Sequence, residues 1–149
     1  MTDHVSAYLS IDSLWFGGVP SATGDWLWLA HDQTFEKFDN WKSDPECEIE
    51  GCDEGMGLVA LPFDSYKWVK ENKSKELPYA CVHNCKNGFK WSFDLHKCLK
   101  IVGESKNFPS AALECSKDGG QLVSLSSCKE MDHLGNLLVF ESYLHAMLP

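Results

Sequence analysis

Seven cysteines, at positions 47, 52, 81, 85, 98, 115 and 128, fall within 149 residues. At about 5% of the chain, this density belongs to the secretory pathway rather than to the reducing cytosol. The odd count leaves at least one thiol without an intrachain partner. A chain of this length suits one compact domain that buries roughly 70% of the surface its unfolded form exposes. Six Trp, eight Phe and four Tyr within a 44% hydrophobic composition exclude disorder. No run approaches the ~20 apolar residues of a membrane span. The basic residues are thirteen lysines and no arginine, set against twenty-two acidic residues for a net charge of −9. Without the guanidinium fork or a positive field, nucleic-acid binding is excluded. The opening stretch from Met1 to Ala7 has no basic region followed by an apolar core, so it is not a secretory signal. Because the cysteines point outside the cell, the expectation is a piece of a longer secreted or membrane-anchored extracellular protein.

Residues 8 to 18 alternate loosely and end in Trp15-Phe16-Gly17-Gly18, which predicts a strand entering a turn. Trp26-Leu27-Trp28-Leu29 predicts a second short strand. From Asp32 to Gly57 the chain is polar and acidic, with Asp39, Asp44, Glu46, Glu48, Glu50, Asp53 and Glu54 in one long loop of the kind that is usually functional. Leu58 to Leu61 and Lys67 to Val69 read as a strand pair around Pro62-Phe63-Asp64-Ser65, and Tyr79 to Val82 as a closing strand. After the turn at Lys86-Asn87-Gly88, Phe89 to Phe93 and Cys98 to Val102 are expected to pair as a hairpin. Asn107 caps a predicted helix over Phe108 to Lys117, which Gly119-Gly120 ends. Gln121 to Leu125 reads as an extended link, and Ser127-Cys128-Lys129-Glu130 as a capping box for a second helix over 129 to 147.

These motifs resemble the C-type lectin-like domain family. Trp15-Phe16-Gly17-Gly18, where the family has Trp-Ile-Gly-Leu, then Trp26-Leu27-Trp28, Asn40-Trp41 and Leu77-Pro78-Tyr79-Ala80-Cys81 resemble the C-terminal half of such a domain. Cys85, the aromatic stretch to Cys98, the segment Phe108 to Cys115 and Gly119 to Leu125 resemble the N-terminal half. The halves stand in reversed order: 8–83 as the C-terminal half, then 84–149 as the N-terminal half. Two arrangements explain this, a piece spanning two domains of a tandem array or one circularly permuted domain, and the first is favoured. The halves would complement one another within one chain or between two chains as a swapped dimer. The expected fold is α+β, C-type lectin-like, with two helices, small antiparallel sheets and a long irregular loop.

The resemblance implies two disulfides, Cys85 to Cys98 and Cys81 to Cys115. The family's other bridge is missing, because its positions fall near Gly57 and Lys73. Cys47 and Cys52 are left to pair locally, with Cys128 as the odd thiol. Relatives that bind sugar hold calcium through loop and strand oxygens, and calcium takes six to eight of them. Here the loop tripeptide is Asp44-Pro45-Glu46, so Asp44 and Glu46 are the ligand-binding and metal-ligating residues implied. The strand motif Trp-Asn-Asp is replaced by Trp68-Val69-Lys70, which puts an apolar side chain and an ammonium where oxygens are needed. The calcium site is therefore degraded, and a solvated acidic loop is the favoured reading.

Cys47 and Cys52 with His83, His133 or His145 have loose spacing for zinc, and a disulfide is preferred. Cys128 with His133 lacks an orienting third group, so catalysis is not expected. Trp15, Trp26, Trp28, Trp41 and Trp68 are read as core before they are read as sugar platforms. Asn72-Lys73-Ser74 is a glycosylation sequon on Asn72. The function expected is extracellular recognition, with carbohydrate binding implied by the resemblance and calcium-independent protein binding as the alternative.

Overall fold

The computed structural model describes residues 11–22, 24–29, 40–42, 53–64, 67–83, 91–92 and 98–124. Nine strands account for 51% of them. In chain order these are β1 (Leu14–Trp15), β2 (Gly18–Pro20), β3 (Trp26–Trp28), β4 (Met56–Leu61), β5 (Lys67–Asn72), β6 (Leu77–His83), β7 (Trp91–Ser92), β8 (Cys98–Lys106) and β9 (Gln121–Leu122). One helix, α1 (Phe108–Lys117), follows β8, and a 3-10 turn at Pro62–Asp64 joins β4 to β5.

The main sheet runs β5-β4-β1-β6-β8-β7, and β2 and β3 form a separate pair. β1 lies parallel to β6, and every other pairing is antiparallel. β9 adds to β6 on the side β1 occupies, with Cys81 opposite Leu122. The chain crosses this side through Gly17 N–H to the Val123 carbonyl at 2.8 Å and Val123 N–H to the Ala80 carbonyl at 3.0 Å.

Side-chain alternation along the strands divides the core in two. Leu14, Leu58, Ala60, Trp68, Ala80, Val82 and Leu99 face one layer, together with Phe16, Trp26 and Trp28. Trp15, Val59, Tyr79, Cys81 and Cys98 face the other, where they meet Phe108, Ala111 and Cys115 of α1. A sheet covered on both faces needs strands that are apolar throughout. β6 is such a strand, buried from Tyr79 to His83.

α1 forms where capping predicts it. The Asn107 side chain accepts from Ser110 N–H at 3.0 Å, Pro109 occupies the first turn, and Gly119 leaves the helix at φ +78°. Its first residue completes an aromatic corner, with the rings of Phe108 and Trp15 edge to face at 5.3 Å. Gly57 makes room for that corner, since a Cβ there would stand 2.9 Å from the Trp15 ring and 3.0 Å from the Phe108 ring. Lys73 lies over the other side of the corner, its ammonium 5.3 Å from the Phe108 ring centre. The two positions where the resemblance lacks a disulfide thus both border the ring of Phe108. Burial first, and then the carboxylates of Glu114, Glu104 and Asp118, hold the Tyr79 phenol pKa above its ordinary value, so the buried hydroxyl stays neutral.

The expected α+β, C-type lectin-like architecture of two helices with small antiparallel sheets is corrected. The described residues are mainly strand, in one mixed sheet and the separate β2–β3 pair, with the single helix α1; the predicted helix over 129 to 147 lies outside them. The reason is the character of β6. Tyr79 to Val82 reads as a closing strand, but a segment apolar on both faces belongs at the middle of a sheet. β6 therefore recruits neighbours on both sides, including Gln121–Leu122, which reads in the sequence as a mere link. Segments before and after residue 84 consequently share one sheet, with β6 and β8 in register from Tyr79 opposite Val102 to His83 opposite Cys98 and, beyond a bulge, Leu77 opposite Lys106.

Cys81 on β6 is bonded to Cys115 on α1, with Cα atoms 5.5 Å apart and a sequence separation of 34. Cys98 is also disulfide-bonded, and its expected partner Cys85 lies outside the described residues, as do Cys47, Cys52 and Cys128. Closing a loop of this length restrains the unfolded chain by about 2–4 kcal/mol. Replacing Cys81 and Cys115 together by alanine should lower the unfolding free energy by about that amount in a denaturant titration.

Candidate functional site

The layer opposite α1 is built from tryptophans. Trp28 meets Trp68 at 5.5 Å, Trp41 meets Trp68 at 5.9 Å, and Trp26 meets Trp41 at 5.2 Å, all edge to face. Trp26, Trp28 and Trp68 are buried, and Trp41 is half-buried at the margin. The preference for core over sugar platform thus holds for the first three. Trp15 is buried on the other face.

Over this layer, β5 receives residues 40–42 and Asp53, which flank the stretch 43–52 of the long loop. At one end, residues 40 to 42 bridge to β5 in parallel with Trp41 opposite Trp68. Trp68 N–H donates to the Asn40 carbonyl at 2.9 Å, and Lys42 N–H donates to the Trp68 carbonyl at 3.0 Å. Lys67 Nζ donates to Asn40 Oδ1 at 3.2 Å, and Lys42 pairs with Asp64 at 2.9 Å.

At the other end stands Asp53, in the turn that enters β4 through Gly55 at φ +83°. Lys70 Nζ donates to Asp53 Oδ1 at 2.7 Å, and Trp26 Nε1 donates to Asp53 Oδ2 at 3.2 Å. Both carboxylate oxygens are therefore engaged, one by a charge and one by a buried ring. The Lys70 and Asp53 side chains are 21% and 12% exposed, whereas those of Lys42 and Asp64 are 54% and 46% exposed. Only the first pair is screened from water enough for its charges to matter much to stability.

The loop thus leaves β5 beside Trp68 and returns beside Lys70, two residues further along the strand. Asp44 and Glu46, the residues implied for ligand and metal, sit in the span between these anchors and lie outside the described residues. Asp53, one of the acidic residues of the long loop, is committed to Lys70 and Trp26. His83 is buried in β6 at the register position of Cys98; His133 and His145 lie outside the described residues. Among the described residues, no group of three or more His, Cys, Asp or Glu side chains is placed to hold a metal ion. The sequence treats Lys70 only as a charge that repels a cation. Its pairing with Asp53 was foreshadowed by one lysine placed two positions after a core tryptophan and facing an acidic loop.

Comparisons of the chain with protein-family models, curated proteins and solved structures find no match. The site therefore stands on its own geometry.

Lys70→Met should destabilise the fold by about 1–3 kcal/mol, because it strands a mostly buried carboxylate. Combined with Asp53→Asn, which keeps an acceptor for Trp26, it should recover part of that loss. Lys42→Met should change stability by less than about 1 kcal/mol. Denaturant unfolding of the four proteins checks the order.

Proposed function

We propose that this chain is a non-catalytic extracellular recognition module that engages a protein ligand without calcium. The surface concerned is the one carried by β5 and by the loop anchored at Asn40–Lys42 and at Asp53. The observation that carries this reading is the Lys70, Asp53 and Trp26 network. A cation site needs several free oxygens converging on one point. Here the strand supplies an ammonium, and the one described loop carboxylate beside it has both oxygens engaged. A fixed, hydrogen-bonded ammonium does for this end of the loop what a bound metal ion does elsewhere, namely hold it to the strand.

Two further observations support recognition over chemistry. Both flanks of the acidic, cysteine-bearing stretch 43–52 are tied to a rigid strand, which is how binding loops are presented on scaffolds. The motifs from Trp15 to Cys81 resemble those of a family whose members recognise sugars or proteins, and the cysteine density fits an extracellular setting. The lectin-like motif that carries sugar through calcium is the one replaced at Val69 and Lys70, which favours a protein ligand over a glycan.

A ligand that binds only the native state raises stability by RT ln(1 + [L]/Kd), about 2.7 kcal/mol at a hundredfold excess. Thermal unfolding of the oxidised protein in excess calcium and in chelator should therefore give the same Tm, and immobilised mannose or galactose should not retain the protein in either condition. A Tm that rises with calcium, together with calcium-dependent retention on sugar, would overturn this reading in favour of a carbohydrate site.

A further inference from the structure

We propose that Asn72 is the acceptor of an N-linked glycan, with its amide nitrogen Nδ2 as the atom modified and a lipid-diphosphate-linked oligosaccharide as the donor. The sequence contains one Asn-x-Ser/Thr triplet, Asn72-Lys73-Ser74. Such triplets arise by chance, so the case rests on where the fold puts this one and on what it does to the amide.

Asn72 ends β5, and Lys73 and Ser74 form the turn into β6. Asn72, Ser74 and Lys75 are exposed. Two backbone bonds fix the turn, Lys73 N–H to the Gly55 carbonyl at 2.9 Å and Lys75 N–H to the Asn72 carbonyl at 3.0 Å. The Asn72 side chain folds over it as an Asx turn. Its Oδ1 accepts from Ser74 N–H at 2.9 Å and from Ser74 Oγ–H at 2.7 Å. Nδ2 donates to none of the described residues. The carbonyl oxygen of the amide is thus held by the protein, and the nitrogen is presented to solvent.

That division suits the transfer. Hydrogen bonds to Oδ1 draw electron density toward oxygen and make the Nδ2 protons more acidic. Nδ2 then forms a bond to the anomeric carbon of the donor sugar, the anomeric C–O bond breaks, and the lipid diphosphate leaves with the electron pair. One amide proton passes to a base of the transferase. The Asx turn spans only residues 72 to 74, so it forms in the nascent chain before long-range pairing and persists in the fold. Along β5 the side chains of Trp68, Lys70 and Asn72 alternate onto one face, which roots the glycan about 7 Å from Lys70, at the rim of the tryptophan layer and clear of the core. The glycosylation itself does not depend on what that surface binds.

The full chain, routed through the secretory pathway of a eukaryotic cell behind a cleavable leader, tests this directly. Site occupancy is read by peptide mapping on the secreted and cell-retained protein together, so a variant that fails export is still scored. Amidase release in heavy-oxygen water should convert Asn72 to labelled Asp. Asn72→Asp keeps the acceptor for both Ser74 donors and should lose the sugar. It should share its Tm with the enzymatically released wild type, which carries the same residue and differs only by the oxygen label. Ser74→Thr keeps the hydroxyl and should stay occupied. Wild type and Ser74→Thr both lacking sugar on Asn72 would overturn the proposal.

Discussion

Everything in this molecule hangs on β6. Its side chains are buried on both faces from Tyr79 to His83, and it is paired on both sides, by β8 on one and by β1 and β9 on the other. A strand so placed exposes no backbone edge and little side chain, so removing either neighbour would leave both hydrogen-bonding groups and apolar surface unsatisfied. The Cys81 to Cys115 bond adds a covalent clamp from this strand to the one helix described. The two stretches of chain that meet at β6 are therefore interdependent: neither has a complete sheet without it.

Because β6 covers both faces, the molecule has two distinct layers with different tasks. The α1 layer is closed, with Trp15, Phe108 and Tyr79 packed around the disulfide. The opposite layer ends in a tryptophan cluster whose outer margin is reached by Trp41, Lys67, Lys70 and Asp53. Residues 40–42 and Asp53, on either side of the acidic stretch, are both held to β5 by its backbone and side chains. The Lys70 ammonium contributes to that hold through a charge-assisted bond of 2.7 Å, made where few waters compete.

Local features were legible in the sequence. Asn107, Pro109 and Gly119 delimit α1 because caps act within one turn. The strand pair around Pro62 and the hairpin of β7 with β8 follow from alternation and turn residues. The bridge from Cys81 to Cys115 was implied by resemblance. The sheet as a whole was not legible, because parallel β1 against β6 and the addition of β9 join residues more than sixty and about forty apart along the chain, and no local pattern encodes such pairings. An apolar run like Tyr79 to Val82 signals burial without telling how many neighbours the strand will have. At the site, the residues were visible and their relation was not. Lys70 reads in the sequence as a charge where an oxygen is needed and Asp53 as one acidic loop residue among several, and only their juxtaposition makes them a pair.

Segments on either side of residue 84 share one sheet through β6, which makes them one cooperative unit. Native-state amide hydrogen exchange tests it most directly. The account predicts that the amides of β6 and β8 open together, at the highest free energy in the molecule and equal to that of global unfolding. Finding β8 and α1 exchanging as a separate unit, at a free energy well below that of β4 and β6, would contradict it.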